Sequence, residues 1–306
     1  MDDRERLSKS IDDDAIIRSF YLDMKTKDVL TKIDSLSIRI AEVQKDIPFN
    51  AEVKGYIGAV DTDGEPWILK PALSREDSLY HRICTLAFLM DHWMGTLSAP
   101  TTVCTINGKK YRAVKVVKNS IQISSYNYMD SPFIEWLRMD LINRWLYFDE
   151  DRNPNNYLVI RNKAEKPFVV AIDFDKADFE TTTMKISGTE GKFGWKRTEK
   201  TRFLTLLRPE NFEGVPIESF DSRLKAMMAI PKDEIMNLAK RLVNGYCDDA
   251  NMMATTLATN IESRRQYIDK YFRKMFKLQS ETRNTSNSDD YSMFGASFLS
   301  TYGGNK

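Results

Sequence analysis

The spacing of hydrophobic positions along this chain changes several times, and each change marks an element. Residues 11–45 carry apolar side chains at mixed three- and four-residue spacing, which predicts one or two amphipathic helices. "AEVKGYIGAVDTDGEPWILKP" then reads as two strands joined at "DTDG", because Asp-Gly favours the left-handed geometry of tight hairpins. "SREDSLYHRICTLAFLMDHWMG" has a near-continuous apolar stripe between a starting Ser and Gly95, as a helix would. "APTTVCTINGKKYRAVKVV" returns to β character with "NG" as a second hairpin turn. From "SPFIEWLRMDLINRWLYF" the pattern is helical, with Ser131 as the expected N-cap and Pro132 as the first helical residue. "YLVI" and "PFVVAIDF" read as short strands across the polar turn "RNKAEK". Residues 180–200, rich in Thr, Gly and Lys, predict a loop. Residues 221–278 predict further amphipathic helices, and the Ser/Asn/Gly-rich stretch after them a flexible tail. The fold class is therefore α+β.

Composition narrows the function. At 306 residues with 42% hydrophobic and 11% aromatic content, the chain can bury a large core. Trp136, Trp145, Tyr147 and Phe148 belong to that core at helical spacing. A net charge of +1 argues against a nucleic-acid binder that works by charge alone. Cys84, Cys104 and Cys247 are scattered and odd in number, so neither a disulfide framework nor a zinc site is expected. His81 and His92 have no partner cluster and read as packed or surface side chains. The first residues lack the apolar run of a signal peptide, and no later run has the length of a transmembrane segment, so a reducing, cytoplasmic setting is expected.

The polar run "FDEDRNPNNYLVI" could be a plain turn. Its spacing allows more. Asp151 and Asn156 precede the strand "YLVI", and a short hairpin leads from there to "VVAIDFD", where Asp173 follows a hydrophobic strand. Two acids and an amide thus meet at one edge of a small sheet. Phosphoryl transfer uses such a set: an acid near the accepting hydroxyl, and an amide with a second acid holding Mg2+ against nucleotide phosphates. Lys70, at the end of the strand "PWILK", could reach those phosphates from a β lobe.

The order "WILKP", helix, "DRNPNN", "IDFD" resembles the protein-kinase-like superfamily, in the atypical branch shared by HipA-like kinases and phosphoinositide 3- and 4-kinases. "LATNIESRRQYIDKYF" is similar to the arginine-bearing last helix of small HipA-like proteins. The resemblance implies a two-lobed fold with a β-rich N-lobe over residues 46–120 and a mainly helical C-lobe over 121–278. A helical extension (1–45) would precede these and a tail (279–306) follow them. It implies Asp151 as the catalytic acid that orients the hydroxyl, Arg152 as a support of that loop, and Lys70 on the phosphates. Asn156 and Asp173 would hold Mg2+, and Val116, Val117 and Lys118 would meet the adenine of ATP. It further implies transfer to Ser or Thr of a protein substrate. Two departures stand out. Tyr80, His81 and Arg82 occupy the positions where the family's helix carries a lysine-pairing Glu, with Glu76 and Asp77 one turn earlier. The phosphate-covering loop is reduced to Gly55 and Gly58 in "KGYIGAV", or to "IPFNAEVKG". A lipid kinase and a pseudokinase that binds a regulatory protein partner stay open as alternatives.

Overall fold

A computed structural model describes residues 20–21, 24–42, 56–149, 154–181 and 218–284, with the backbone alone for 219 and 275–284. In chain order the elements are α1 (Thr26–Ser35), β1 (Arg39–Ile40), β2 (Ile57–Val60), β3 (Pro66–Pro71) and α2 (Arg75–Trp93). Then come β4 (Thr101–Ile106), β5 (Lys109–Lys115), β6 (Ile121–Gln122), α3 (Phe133–Leu146), β7 (Tyr157–Arg161) and β8 (Pro167–Ala171). Helices α4 (Glu218–Ala229), α5 (Lys232–Val243) and α6 (Ala250–Asn284) complete the described set. The fold is α+β, as the periodicity predicts. Two of its strands pair in an order that the sequence does not announce: the five-stranded antiparallel sheet runs β1-β2-β3-β5-β4, so β5 rather than β4 lies beside β3. A second antiparallel sheet runs β6-β7-β8.

Turn chemistry sets the hairpins. Between β2 and β3 the buried Asp61 carboxylate accepts from the Asp63 and Glu65 amides, each at 2.9 Å, and from Trp67 Nε1 at 2.8 Å, while Gly64 takes a φ of 75°. Asn162 repeats the device between β7 and β8, its side-chain oxygen accepting from the Ala164 and Lys166 amides at 3.0 Å. Between β4 and β5, Asn107 and Gly108 both adopt positive φ, as a two-residue hairpin turn of this kind requires.

Alternation decides what each sheet face does. In β3 and β5, Trp67, Leu69, Tyr111 and Ala113 pack with Ala59 and Ile38 into a small core on one face. Ile68, Lys70, Arg112 and Val114 occupy the other, which lines a cleft. The second sheet is apolar on both faces. Tyr157, Val159, Val169 and Ala171 join the main core, and Leu158, Ile160, Phe168, Val170 and Ile172 join a separate cluster with Leu97 and Ala99. That double burial explains why "YLVI" and "PFVVAI" are unbroken apolar runs. The segment from Leu97 to Ala99 bonds to both backbone groups of Ala171, which ties the chain entering β4 to the end of β8.

Helix α2 starts at Ser74, whose hydroxyl accepts from the Asp77 amide at 3.0 Å, and Gly95 follows its end with a φ of 75°. It packs against β4 and β5 as well as α1 and α5, so its apolar stripe wraps most of its circumference. Three expectations change. Residues 39–40 are an edge strand rather than helix. Ser131 is not the N-cap of α3: Pro132 holds that position, and the Ser131 hydroxyl donates to Glu135 instead. Helix α6 continues to Asn284, past the boundary expected at 278. The predicted loop at 180–200 lies outside the described residues from 182 onward, as do the glycine-poor stretch 47–55 and the tail from 285.

Candidate active site

The cleft lies between the two sheets. Ile68, Val114, Val116 and Val117 form one apolar wall, Leu158 and Ile172 the other, and Tyr56, Lys70, Arg112, Lys115 and Asp173 supply polar groups. It encloses about 620 Å3, part of it open to solvent. A slot of this kind, apolar along its walls with a few charges, suits a flat aromatic group bearing an anionic tail.

Lys70 and Arg112 are directly opposed in the β3–β5 register, so strand geometry sends both to the cleft face. Their exposure differs: the Lys70 side chain is 39% exposed and that of Arg112 5%. Lys70 Nζ donates to Asp175 Oδ2 at 2.8 Å. Arg112 pairs with the other oxygen of Asp175 and lies 3.7 Å from Asp173. Arg112 Nη1 also approaches Cys84 Sγ at 3.7 Å, on α2. Burial acts to lower the Arg112 guanidinium, and the facing Cys84 and Asp173 more than offset it, leaving it raised. Burial pushes the Cys84 thiol up, so it stays protonated.

The segment after β8 brings two acids to Arg112. Phe174 is buried, packs edge-on to Tyr147 with centroids 5.8 Å apart, and its carbonyl accepts from the Cys84 thiol at 3.3 Å. With Phe174 anchored inward, Asp173 and Asp175 on either side turn toward Arg112. Asp173 has a φ of 58°, a left-handed conformation that is uncommon outside glycine and gathers at ligand sites. Asn156 ends the short 3-10 turn Pro154–Asn156, and its carbonyl accepts from the Ile172 amide at 2.9 Å. The β7–β8 ladder is thereby extended by one pair, which sets Asn156 beside the residue that precedes Asp173.

Of the residues singled out in the sequence, Lys70, Val116, Val117 and Asp173 line one cleft, and Asn156 stands at the adjoining strand end. Asp151 and Arg152 lie outside the described residues. Lys118 does not line the cleft; its ammonium pairs with Glu65 at 2.9 Å. The Val116 amide already donates to Pro66 at 2.9 Å. Glu76 is fully exposed, and its own backbone amide and Ser74 hold its carboxyl below the usual range. Asp77 accepts from the Leu73 amide at 2.9 Å. The acid beside Lys70 is Asp175, from the other end of the chain segment.

Sequence reasoning missed Arg112 and Asp175. For Asp175 a signal existed: in "IDFD" a second acid follows Asp173 after a single apolar residue. For Arg112 there was none without the β3–β5 pairing. A third missed feature is a brace from α6. Arg264 donates to the carbonyls of Leu146 at 3.1 Å, Thr181 at 2.5 Å and Asp178, and Asn260 to those of Phe179 and Glu180 at 2.9 Å. The two chain segments on either side of the acids are thus held by one helix.

Among the described residues no group of three or more His, Cys, Asp or Glu is arranged to hold a metal, and no helix is long and apolar enough to cross a membrane. No protein-family model matches the sequence, and no curated protein matches it. Among solved structures, the chain is similar to a Helicobacter pylori proinflammatory kinase, CtkA, at 11% identity and a TM-score of 0.45, over 73% of this chain and 95% of that one. A likeness at that level carries neither fold nor function across.

Proposed function

We propose that this chain is an ATP- and Mg2+-dependent phosphotransferase of two-lobed, kinase-like architecture, passing the γ-phosphate to Ser or Thr of a protein. One observation carries the reading: an apolar cleft has Lys70, Arg112 and Asp173 among its lining groups, with Asn156 at the neighbouring strand end. Adenine would fill the slot between Val114, Val116 and Val117 on one side and Leu158 and Ile172 on the other. Lys70 would bind the phosphates as a point charge. The Asp173 carboxylate and Asn156 amide are hard oxygen donors, and magnesium takes few protein ligands when phosphate and water oxygens complete its shell. Bound there, Mg2+ would supply neutralisation of charge on the β- and γ-phosphates. Asp151, next to Asn156 in sequence motif but outside the described residues, would orient the acceptor hydroxyl. The protein acceptor rests on the motif resemblance alone.

The test joins binding to transfer. A ligand that binds only the folded state raises the melting temperature, so ATP should stabilise the protein, and more so with Mg2+. Asp173→Asn should lose the Mg2+-dependent increment and transfer, and Asp151→Asn transfer alone. With γ-labelled ATP, Mg2+, lysate and lipid vesicles, label is expected in protein bands. Label in lipid replaces the acceptor class. No label and no melting shift favour a second reading, a partner-binding chain without activity, which the absence of a Glu76 or Asp77 contact to Lys70 supports.

A further inference from the structure

Four charged groups form one network on the cleft face. Lys70 bonds to one oxygen of Asp175, Arg112 pairs with the other, and Arg112 also faces Asp173. Arg112 is sealed between this network and α2, at 5% exposure, and so cannot swing away as an exposed arginine could. Asp175 is therefore a fixed acid, with its neighbour Phe174 anchored in the core and its own carboxylate gripped by a buried cation. Lys70 is the opposite kind of group, a half-exposed ammonium on a flexible stem whose direction depends on its partner. The two acids in the first turn of α2 are occupied elsewhere: Asp77 with the Leu73 amide, Glu76 in solvent with Ser74.

We propose that Asp175, held by Arg112, is the positioning residue for Lys70, so that the phosphate-binding lysine is coupled to the acid segment after β8 instead of to helix α2. The proposal rests on the phosphotransferase reading above. Its consequence is regulatory: a displacement of residues 173–175 would disturb the metal-binding acid and the lysine together. It also separates the roles of two acids one residue apart. Asp173 acts through the metal, and Asp175 through the lysine.

Calorimetric titration with ATP, in the presence of Mg2+ and in its absence, distinguishes these roles. Lys70→Met should weaken ATP binding about tenfold to a hundredfold in both conditions, the range for one charge-assisted hydrogen bond. Asp175→Asn should weaken it similarly in both, whereas Asp173→Asn should do so only with Mg2+. In the double variant Lys70→Met/Asp175→Asn the losses should not add, since the second change acts through a lysine already gone. Asp175→Glu should recover most of the affinity, which separates positioning from loss of fold, and Glu76→Gln and Asp77→Asn should bind as wild type does. The proposal is overturned if Asp175→Asn binds ATP normally, if its loss adds in full to that of Lys70→Met, if its loss appears only with Mg2+, or if Glu76→Gln or Asp77→Asn weakens binding. Wild-type protein that fails to bind ATP at all overturns the phosphotransferase reading and the proposal with it, an outcome distinct from the others.

Discussion

Two ionic networks touch α2, one at Cys84 and one at Asp91, and are built on opposite lines. In the cleft, Lys70, Arg112, Asp173 and Asp175 meet at an opening, and the two acids are 31% and 21% exposed. Toward the helices, Asn143 donates to Asp91 at 2.8 Å and to Thr96 at 2.8 Å, and accepts from Arg223 at 2.6 Å, while the Tyr147 hydroxyl donates to Asp91 at 2.9 Å. Asp91, Asn143 and Thr96 are all buried, and this set links α2, α3 and α4. Charge that is sealed and hydrogen-bonded specifies packing and cannot be exchanged for a ligand. Charge at a cleft keeps water and solutes within reach, so its partners can be traded. The difference makes the cleft network the candidate site without any appeal to likeness.

The largest effect on stability should come from the sealed side. Asn143→Ala takes a partner from Asp91, Thr96 and Arg223 at once, and should cost about 3 kcal/mol or more in denaturant unfolding. Lys70→Met should cost less than about 1 kcal/mol, because its ion pair is partly exposed. If Lys70→Met destabilises as much as Asn143→Ala, the cleft network is structural and the contrast fails.

How much of this contrast could be read from sequence depends on distance along the chain. The hairpins were legible because Gly64 and the Asn107-Gly108 pair carry their own turn chemistry. The strands "YLVI" and "PFVVAI" were legible because double burial leaves an unbroken apolar run. Lys70 and Asp173 could be singled out by motif order. Arg112 could not, since its meaning comes from lying opposite Lys70 across a strand pair separated in sequence by α2 and β4. Asp91 and Asn143 interrupt apolar helices, and only packing reveals that they satisfy each other. The sequence also suggested a serine cap at Ser131, whose hydroxyl instead makes a local contact with Glu135 four residues on.

Arg264 belongs to both sides and sharpens the comparison. It is buried, yet its donors go to backbone carbonyls flanking the acids instead of to another charge. Burial pushes its guanidinium down to about 10, which still leaves it charged at neutral pH. Arg264→Lys keeps the charge but loses the planar fork that reaches separate carbonyls. It should cost about 1–3 kcal/mol and speed amide hydrogen exchange at residues 178–181 more than in α3. Uniform acceleration over the molecule would make Arg264 an ordinary core contact.

The smallest expected effect concerns pH and comes from His81, buried on α2. Burial first, then the positive charges of Arg112 and Lys70, push its imidazole down to about 4, with Asp77 opposing. Its ordinary value is 6.5. As pH falls below that, the unfolded chain takes up a proton that the folded chain refuses until about 4, so the folded state loses stability across this window. The contribution is complete above 6.5 and declines downward, the sign expected for a base whose charged form is disfavoured by folding. His81→Gln removes the titration and should flatten the stability profile between pH 6.5 and 4 relative to wild type. The comparison supplies a control. Because two of the charges that depress His81 belong to the cleft network, Lys70→Met should make protonation of the folded state easier, so that the loss of stability still begins at 6.5 but ends at a slightly higher pH and is smaller in total. An unchanged profile in both variants would mean that neither burial nor the Lys70 charge shifts His81 on folding.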